Sequence, residues 1–584
     1  MTEAGDPFEE ARAALGRLAA DLGVDFVVAR RLIDTLVADD SGIQTVNALV
    51  EATGIPHRRV LELLRALGIE AVKGLVEVSL TRRRSLRVAL MNVVAQHPRT
   101  SPDLLSAIVP LAAGLPPPAG NLDHVPAVPA TIVRRAEFLR ATYELEGAHV
   151  VCLGDHDLTS VATALVAPGA TVSVVDIDER VLRYLGAASD RLDLGLRLYA
   201  GDLRLGLPRT LGGVADLVFT DPPYSEEGIA LFVDRAVEAL ADRPGTRILF
   251  CFGASDRGAE QVLAIQELLQ RRQLVLELMA PGFNRYHGAH AIGATSALWV
   301  CRPTRRTRPA VAKQLAGRRA EGRIYSRGGA SRESGGASLD PSILARVAAQ
   351  VLGEGPVLVV GEGWEGFEPG PPLIPQRLAD LLAAATEPPH SGSPRPAGTT
   401  VVVNLHPFYG DSLVRVLLAA PSAQRLVVVT PRRSLAALND ERRRLVATRW
   451  ALGAAGDGDP AMLVAEPAGT PADPEPAGRP TGPDAAGTEA EPPASPADFL
   501  LRYLVEHQPA LVRNAWREGL IQLASRQALL LTKNQARALI EETSMRPAEL
   551  DAHLIELPAD RLAHLVGEVE ATVERLTRLL RPEG

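Results

Sequence analysis

Lysine is nearly missing from this chain. Lys73, Lys313 and Lys533 are the only three, and the rest of its 62 basic residues are arginine. With abundant Ala, Gly and Pro, that bias reads as the composition of a GC-rich genome rather than as a functional mark. Cysteine is also scarce: Cys152, Cys251 and Cys301 lie far apart, which excludes a Cys-rich metal or redox motif and points to small reduced hydrophobes of a cytoplasmic protein. Aromatic residues make up 4% of the chain and the net charge is -8, so nothing global advertises a nucleic-acid partner. No apolar run is long enough to cross a bilayer, and the acidic start Met1-Thr2-Glu3-Ala4-Gly5-Asp6 lacks the basic region of a secretory signal. A cytoplasmic protein without a membrane partner is therefore expected, and 584 residues allow three or four domains.

Residues 8–95 read as short helices. Apolar spacing over Val28–Val37, Thr45–Thr53 and Arg58–Leu67 predicts three of them, with Gly54-Ile55-Pro56 breaking the last two. Alternation from Ile69 to Leu80 predicts a strand or wing, which completes a winged-helix pattern. Such a module serves DNA binding, dimerisation or substrate capping. The third helix carries Arg58, Arg59 and Arg65 but also Glu62, which argues against phosphate contacts, so nucleic acid is not the expected partner.

From 130 to 302 strands alternate with helices: His149–Leu153, Thr171–Asp176, Arg197–Ala200, Asp216–Thr220, Arg247–Phe252, Leu274–Met279 and Ala297–Arg302. The expected fold class is α/β, a Rossmann-like sheet of the class I methyltransferase type. Residues 303–338 read as a basic flexible linker. A second, degenerate α/β domain is expected over 340–466, with strands at Val357–Val360, Thr400–Val403, Arg425–Val429 and Ala461–Ala465. There Asn404-Leu405-His406-Pro407-Phe408 follows a strand at the place where the first domain has Asp221-Pro222-Pro223-Tyr224. A Pro/Ala-rich linker (467–496) and a helical region (498–584) complete the chain.

Ligands bind at the carboxyl ends of the strands in open α/β sheets, and the distinctive residues fall there. The tetrad Asp221-Pro222-Pro223-Tyr224 suits an amine: an acidic side chain and a proline-fixed carbonyl accept its hydrogens while the aromatic ring flanks it. Asp176 ends the second strand, where an acid accepts ribose hydroxyls, and Asp202 follows the third, where it suits an adenine amino group. The first loop separates two donors. A Gly-rich loop would receive the amino-acid end of S-adenosylmethionine, but Gly154-Asp155-His156-Asp157 has one glycine and two carboxylates. Those acids repel the donor's own carboxylate and attract the ammonium of decarboxylated S-adenosylmethionine, or a polyamine. Glu226 and Glu227 extend that acidity on paper, although glutamates there also suit a solvated helix start.

These blocks resemble the branched-chain polyamine synthases, or N4-bis(aminopropyl)spermidine synthases, over roughly residues 8–302. The resemblance rests on Gly154-Asp155-His156-Asp157-Leu158-Thr159-Ser160, Val175-Asp176-Ile177-Asp178-Glu179-Arg180, Asp202-Leu203-Arg204 with Pro208, the tetrad, and Asn284-Arg285-Tyr286-His287-Gly288-Ala289 with Ile292, Gly293 and Ser296. It implies aminopropyl transfer from decarboxylated S-adenosylmethionine to the secondary amine of spermidine, without a metal, by a homodimer. It also implies Asp157 as base, Asp221 and Tyr224 around the amine with Pro222, and Gly154, Asp155, Asp176 and Asp202 around the donor, Asp155 facing an ammonium of donor or polyamine. His156 stands where the family motif has its middle acid, and that departure bears on the acceptor. Two alternatives stay open: an S-adenosylmethionine-dependent methyltransferase acting on adenine N6 or cytosine N4, and an inactive polyamine-sensing relative.

Overall fold

The computed structural model describes residues 6–38, 41–94, 104–253, 258–287, 294–317, 324–325, 338–351, 355–387, 399–453, 456, 458–468 and 495–580. Gly288, Ala289, Ile292 and Gly293 of the family block lie outside them, as does most of 467–496. The chain divides into two compact units. The first comprises Met1–Val175, Tyr184–Arg197 and Leu211–Ser326, and the second comprises Asp176–Arg183, Leu198–Thr210 and Arg327–Gly584.

The N-terminal module is built on helices Pro7–Leu22, Phe26–Ala38, Val46–Thr53, His57–Ala66 and Leu80–Val94. Asp6 accepts the amide of Phe8 and Pro7 opens the first helix, so the free amides there are met locally. Thr45 does the same for Val46–Thr53, which ends at left-handed Gly54. The first and last helices, of 16 and 15 residues, lie outside the three that apolar spacing predicts. Between them β1 (Ile43–Thr45), β2 (Ala71–Val72) and β3 (Leu75–Glu77) form an antiparallel sheet in the order β1-β3-β2. Leu15, Phe26, Leu32, Leu49, Leu63 and Val76 meet in one core.

The central sheet holds β4 (His149–Leu153), β5 (Thr171–Asp176), β6 (Arg197–Ala200), β7 (Leu217–Thr220), β8 (Arg247–Phe252), β9 (Leu274–Arg285) and β10 (Thr295–Pro303) in the order β6-β5-β4-β7-β8-β10-β9. By chain position the order is third, second, first, fourth, fifth, seventh, sixth. β5, β4, β7 and β8 run parallel, and β10 pairs antiparallel with β8 and β9. Parallel strands covered on both faces need apolar side chains throughout, and β7 and β8 are buried along their whole length. The direction of winding reverses between β4 and β7, the switch point at which such sheets open a crevice for ligands. Residues 307–317, expected within the linker, form a helix whose polar, Arg-bearing sequence hides its periodicity.

In the second unit β11 (Val357–Val360), β12 (Leu373–Gln376), β13 (Thr400–Asn404), β14 (Arg425–Thr430), β15 (Trp450–Leu452) and β16 (Ala461–Pro467) form a sheet in the order β12-β11-β13-β14-β16-β15. The first four pairings are three parallel and one antiparallel, and β15 closes the edge antiparallel to β16. Sequence pattern missed β12, an exposed edge strand interrupted by Pro375, and the three-residue β15. Helices Pro496–Glu506, Val512–Arg526, Lys533–Glu541, Pro547–Leu550 and Ala559–Leu580 follow. No helix among the described residues is long and apolar enough to cross a membrane.

Candidate active site

Thr220 ends β7, and its hydroxyl donates to the Leu153 carbonyl at 2.7 Å, so the ends of β4 and β7 are tied before their loops diverge. Asp221 follows. Its Oδ1 accepts the Tyr224 hydroxyl at 2.9 Å, and its Oδ2 accepts Arg135 Nη2 at 2.6 Å and the Tyr286 hydroxyl at 2.8 Å. Tyr224 thus orients the carboxylate through its hydroxyl, while its ring meets Phe252 edge-on at 5.7 Å. Burial pushes the Asp221 carboxyl up, against the pull of Arg135. Pro222 and Pro223 are buried, and Gly228 is required beside them because a Cβ there would stand 2.7 Å from the Pro223 carbonyl.

Asp157 reaches the same guanidinium from the loop after β4. Its Oδ2 accepts Arg135 Nη1 at 2.9 Å and its Oδ1 accepts the Ala127 amide at 2.8 Å. Asp155, on the same loop, faces the helix Thr159–Val166: its oxygens accept the amides of Thr159 at 2.8 Å and Ser160 at 3.0 Å, and the Ser160 hydroxyl as well. Burial outweighs those donors and raises the Asp155 carboxyl to about 7. The loop achieves this by placing Leu158, a buried non-glycine residue, at φ 57°. A bulky side chain in the left-handed region is strained, and such strain persists where the surroundings fix it.

Arg135 was not foreseen from sequence. It lies in the helix Pro129–Thr142 that precedes β4, fully buried, and gives hydrogen bonds to Asn284 Oδ1 at 2.9 Å, Thr159 Oγ1 at 3.3 Å and the Tyr286 hydroxyl at 3.2 Å besides the two aspartates. Its guanidinium also stands over the rings of Phe219 and Tyr286 at 5.2 and 5.9 Å. Asn284 donates to Ser296 Oγ at 2.9 Å, and Ser296 lies 2.8 Å from the Tyr286 hydroxyl, so three members of the last family block meet in this cluster.

Other expected residues are placed differently. Glu226 and Glu227 are exposed in the first turn of the helix Glu226–Ala239, capped by Ser225, and Glu226 pairs with Arg271 at 3.2 Å. The structure does not bring them to the cluster; they serve the helix start, where negative charge meets the free amides. His156 is buried, 4.5 Å from the His124 ring, with Nε2 at 3.2 Å from the Pro116 carbonyl. Gly154, at φ 71°, follows β4 and donates to the Val175 carbonyl at 2.8 Å. Asp176 and Asp202 sit at the carboxyl ends of β5 and β6, in segments that belong to the second compact unit. Asp176 accepts the Asp178 amide at 2.8 Å, and Asp202 holds Arg204 through Nε at 2.9 Å and Nη2 at 2.6 Å. Within that unit the Arg204 guanidinium lies 4.6 Å from the Tyr409 ring centre.

Residues 103–316 match the family model of the branched-chain polyamine synthase A C-terminal domain. An uncharacterized protein of Methanocaldococcus jannaschii is 32% identical over 194 residues, 33% of this chain and 49% of that protein. The N(4)-bis(aminopropyl)spermidine synthase of Thermococcus kodakarensis is 31% identical over 186 residues, 32% of this chain and 53% of that protein. The chain thus spans about half the length of these curated relatives. Among solved structures, the branched-chain polyamine synthase of Thermus thermophilus, in complex with N4-aminopropylspermidine and 5'-methylthioadenosine, aligns over 51% of this chain and 93% of its own at 20% identity and a TM-score of 0.32. Residues 103–316, the stretch that holds Arg135, Asp157 and Asp221, are thus similar to the C-terminal domain of the branched-chain polyamine synthases.

Proposed function

We propose that the chain is an aminopropyltransferase that alkylates a secondary amine of a polyamine of the spermidine class, with decarboxylated S-adenosylmethionine as donor and no metal. The observation that carries the reading is the meeting of Asp157 and Asp221, from the loops after β4 and β7, around one buried guanidinium at the switch point of the sheet. The sulfonium donor supplies an electrophilic carbon; the chain's own residues bind and orient the amine and take its proton. In this reading Asp221, oriented by Tyr224, receives the amine, Pro222 adds a fixed carbonyl and Asp157 accepts the proton. Gly154 and Asp155 take the donor. An acidic first loop suits a donor that has an ammonium and no carboxylate.

The N-terminal module is read as a winged helix serving protein contact, including a homodimer. Arg58 and Arg59 both bond Glu62, at 3.1 Å each, so the helix His57–Ala66 offers little free charge to a phosphate backbone. Residues 340–466 are read as a degenerate copy of the catalytic fold. Three buried free thiols accord with the cytoplasm.

The test is incubation of the full chain with decarboxylated S-adenosylmethionine and spermidine, read by mass spectrometry. A product heavier by one or two aminopropyl groups, together with 5'-methylthioadenosine, is expected. Methyl transfer from intact S-adenosylmethionine to an adenine or cytosine base, with no use of the decarboxylated donor, would sink the proposal.

A further inference from the structure

Arg135 shares its guanidinium between Asp157 and Asp221, and one cation between two carboxylates leaves a net charge of -1 in the cluster. The Arg135 side chain has 0% exposure, and those of Asp157 and Asp221 have 10% and 17%. Uncompensated charge at such depth is unfavourable, so this arrangement awaits one positive charge. Resting on the reading above, we propose that Arg135 is a positioning residue that holds both carboxylates in place around one cation and leaves the pair room for one ammonium, or for the one proton the acceptor gives up.

The stoichiometry follows. The acceptor enters as a secondary ammonium and passes one proton to a carboxylate, which frees the nitrogen lone pair. Nitrogen then bonds to the carbon beside sulfur, the C–S bond breaks with its electron pair going to sulfur, and 5'-methylthioadenosine leaves as a neutral thioether. The product nitrogen carries the positive charge, and the carboxylic acid loses its proton to solvent. With no Arg135 the pair would carry two negative charges and would hold a proton before the amine arrives, leaving no strong acceptor for the amine's own.

The neighbours of the pair are consistent with this count. Asp221 faces Arg135, Asp157 and the hydroxyls of Tyr224 and Tyr286, with the Cys251 thiol close by. Burial pushes both tyrosines and the thiol up, so they stay neutral. Asp157 faces Arg135, the Ala127 amide and Asp155, which has its own donors at Thr159 and Ser160. A lysine cannot replace the fork. Arg135 addresses five side chains in different directions, whereas an ammonium is a point charge with three donors.

R135K and R135Q in the full chain, assayed between pH 6 and 10, test the proposal. Removing the cation takes away the attraction that favours the ionised form of Asp221, so that form is lost from the acid side first. The acid limb of kcat/KM for spermidine is expected to move to higher pH, by about one unit or more in R135Q and less in R135K. KM for the donor should hold, and R135K, which keeps the charge, should recover part of the rate. The same alkaline shift is expected in spermidine affinity measured by calorimetry, a readout independent of turnover. Profiles that superpose on the wild type after scaling, or rates that only track the folded fraction in a thermal melt, would overturn the proposal. Where R135Q does not fold, R135K decides by the same two readouts. If the wild type binds spermidine with the predicted shift in R135K but transfers no aminopropyl group, the charge assignment stands and the reading of the reaction falls; turnover without the shift has the opposite meaning.

Discussion

The sheet of β4 to β10 and the sheet of β11 to β16 can be laid on one another strand by strand. β11, β12, β13, β14, β15 and β16 take the places of β4, β5, β7, β8, β9 and β10, and among the described residues no strand corresponds to β6. The registers agree: Leu153 pairs with Val175 and Thr220 in the first sheet, Val360 with Gln376 and Val403 in the second. The next residue is glycine at positive φ in both, and Gly154 and Gly361 donate to the carbonyls of Val175 and Gln376 at 2.8 and 3.1 Å. One residue further, the chemistry parts. Arg377 stands where Asp176 is and Asn404 where Asp221 is, and among the described residues no strand corresponds to the one that precedes Asp202. An arginine cannot accept ribose hydroxyls, and an amide cannot hold a cation as a carboxylate does. Apolar strands alone suffice for such a sheet, whereas a site needs particular acids at the strand ends.

The sharpest way to break this comparison is to exchange the same position in the two sheets. Asp221→Asn is expected to lower kcat on the order of a thousandfold, since in the proposed reaction the carboxylate that would receive the amine becomes an amide. Asn404→Ala should leave kcat and both KM values within about twofold. Asn404 bonds the Glu362 carbonyl at 2.7 Å and receives the His406 amide at 2.9 Å, so its loss would show in the thermal midpoint instead. Comparable loss of turnover in both variants would mean that the second sheet takes part in the chemistry.

A smaller contrast lies one residue after the two glycines, at Asp155 and Glu362. Burial raises both carboxyls, Asp155 to about 7, and Glu362, which is exposed, to a lesser degree with Glu365 adding repulsion. A folded-state value above the unfolded one means that the native chain binds more protons across the interval, so stability is highest below the ordinary carboxylate range near 4 and falls as pH rises towards 7. Asp155→Asn should flatten the fall in chemical-denaturation midpoint between pH 4 and 7, and Glu362→Gln should change it much less. Equal slopes in the wild type and Asp155→Asn would remove Asp155 as the origin.

Much of this organisation was legible beforehand, for physical reasons. Apolar runs such as Val150–Leu153 and Ile248–Phe252 must be buried and are bounded by turns, so the parallel strands stand out. Asp157 and Asp221 could be named because sheets of this class bring strand ends together. Arg135 could not: it lies 22 and 86 residues from its two aspartates, and exposed Arg134 beside it looks the same in sequence. Only the helix phase turns one inward. Tyr286 and Asn284 fell in a block noticed for its likeness, without a role. Glu226 and Glu227 lie in the first turn of the helix Glu226–Ala239, the helix start that adjacent glutamates also suit.

The finest contrast concerns space. At Gly361 an added Cβ would stand 2.7 Å from the Asn404 carbonyl oxygen, while at Gly154 the nearest atom is a Phe232 ring carbon at 3.9 Å. The first loop of the second sheet has settled onto the end of β13, and that of the first sheet stands clear. Both glycines have positive φ, so alanine carries a similar backbone strain of about 1 kcal/mol at either place. Gly361→Ala must also displace backbone and is expected to lower the thermal midpoint more than Gly154→Ala. Gly154→Ala should raise the KM for decarboxylated S-adenosylmethionine severalfold, because the methyl group enters the room left beside β4, and Gly361→Ala should leave that KM unchanged. If the two variants affect donor KM alike, the space beside Gly154 is not the donor's, and the difference between the sheets is one of packing alone.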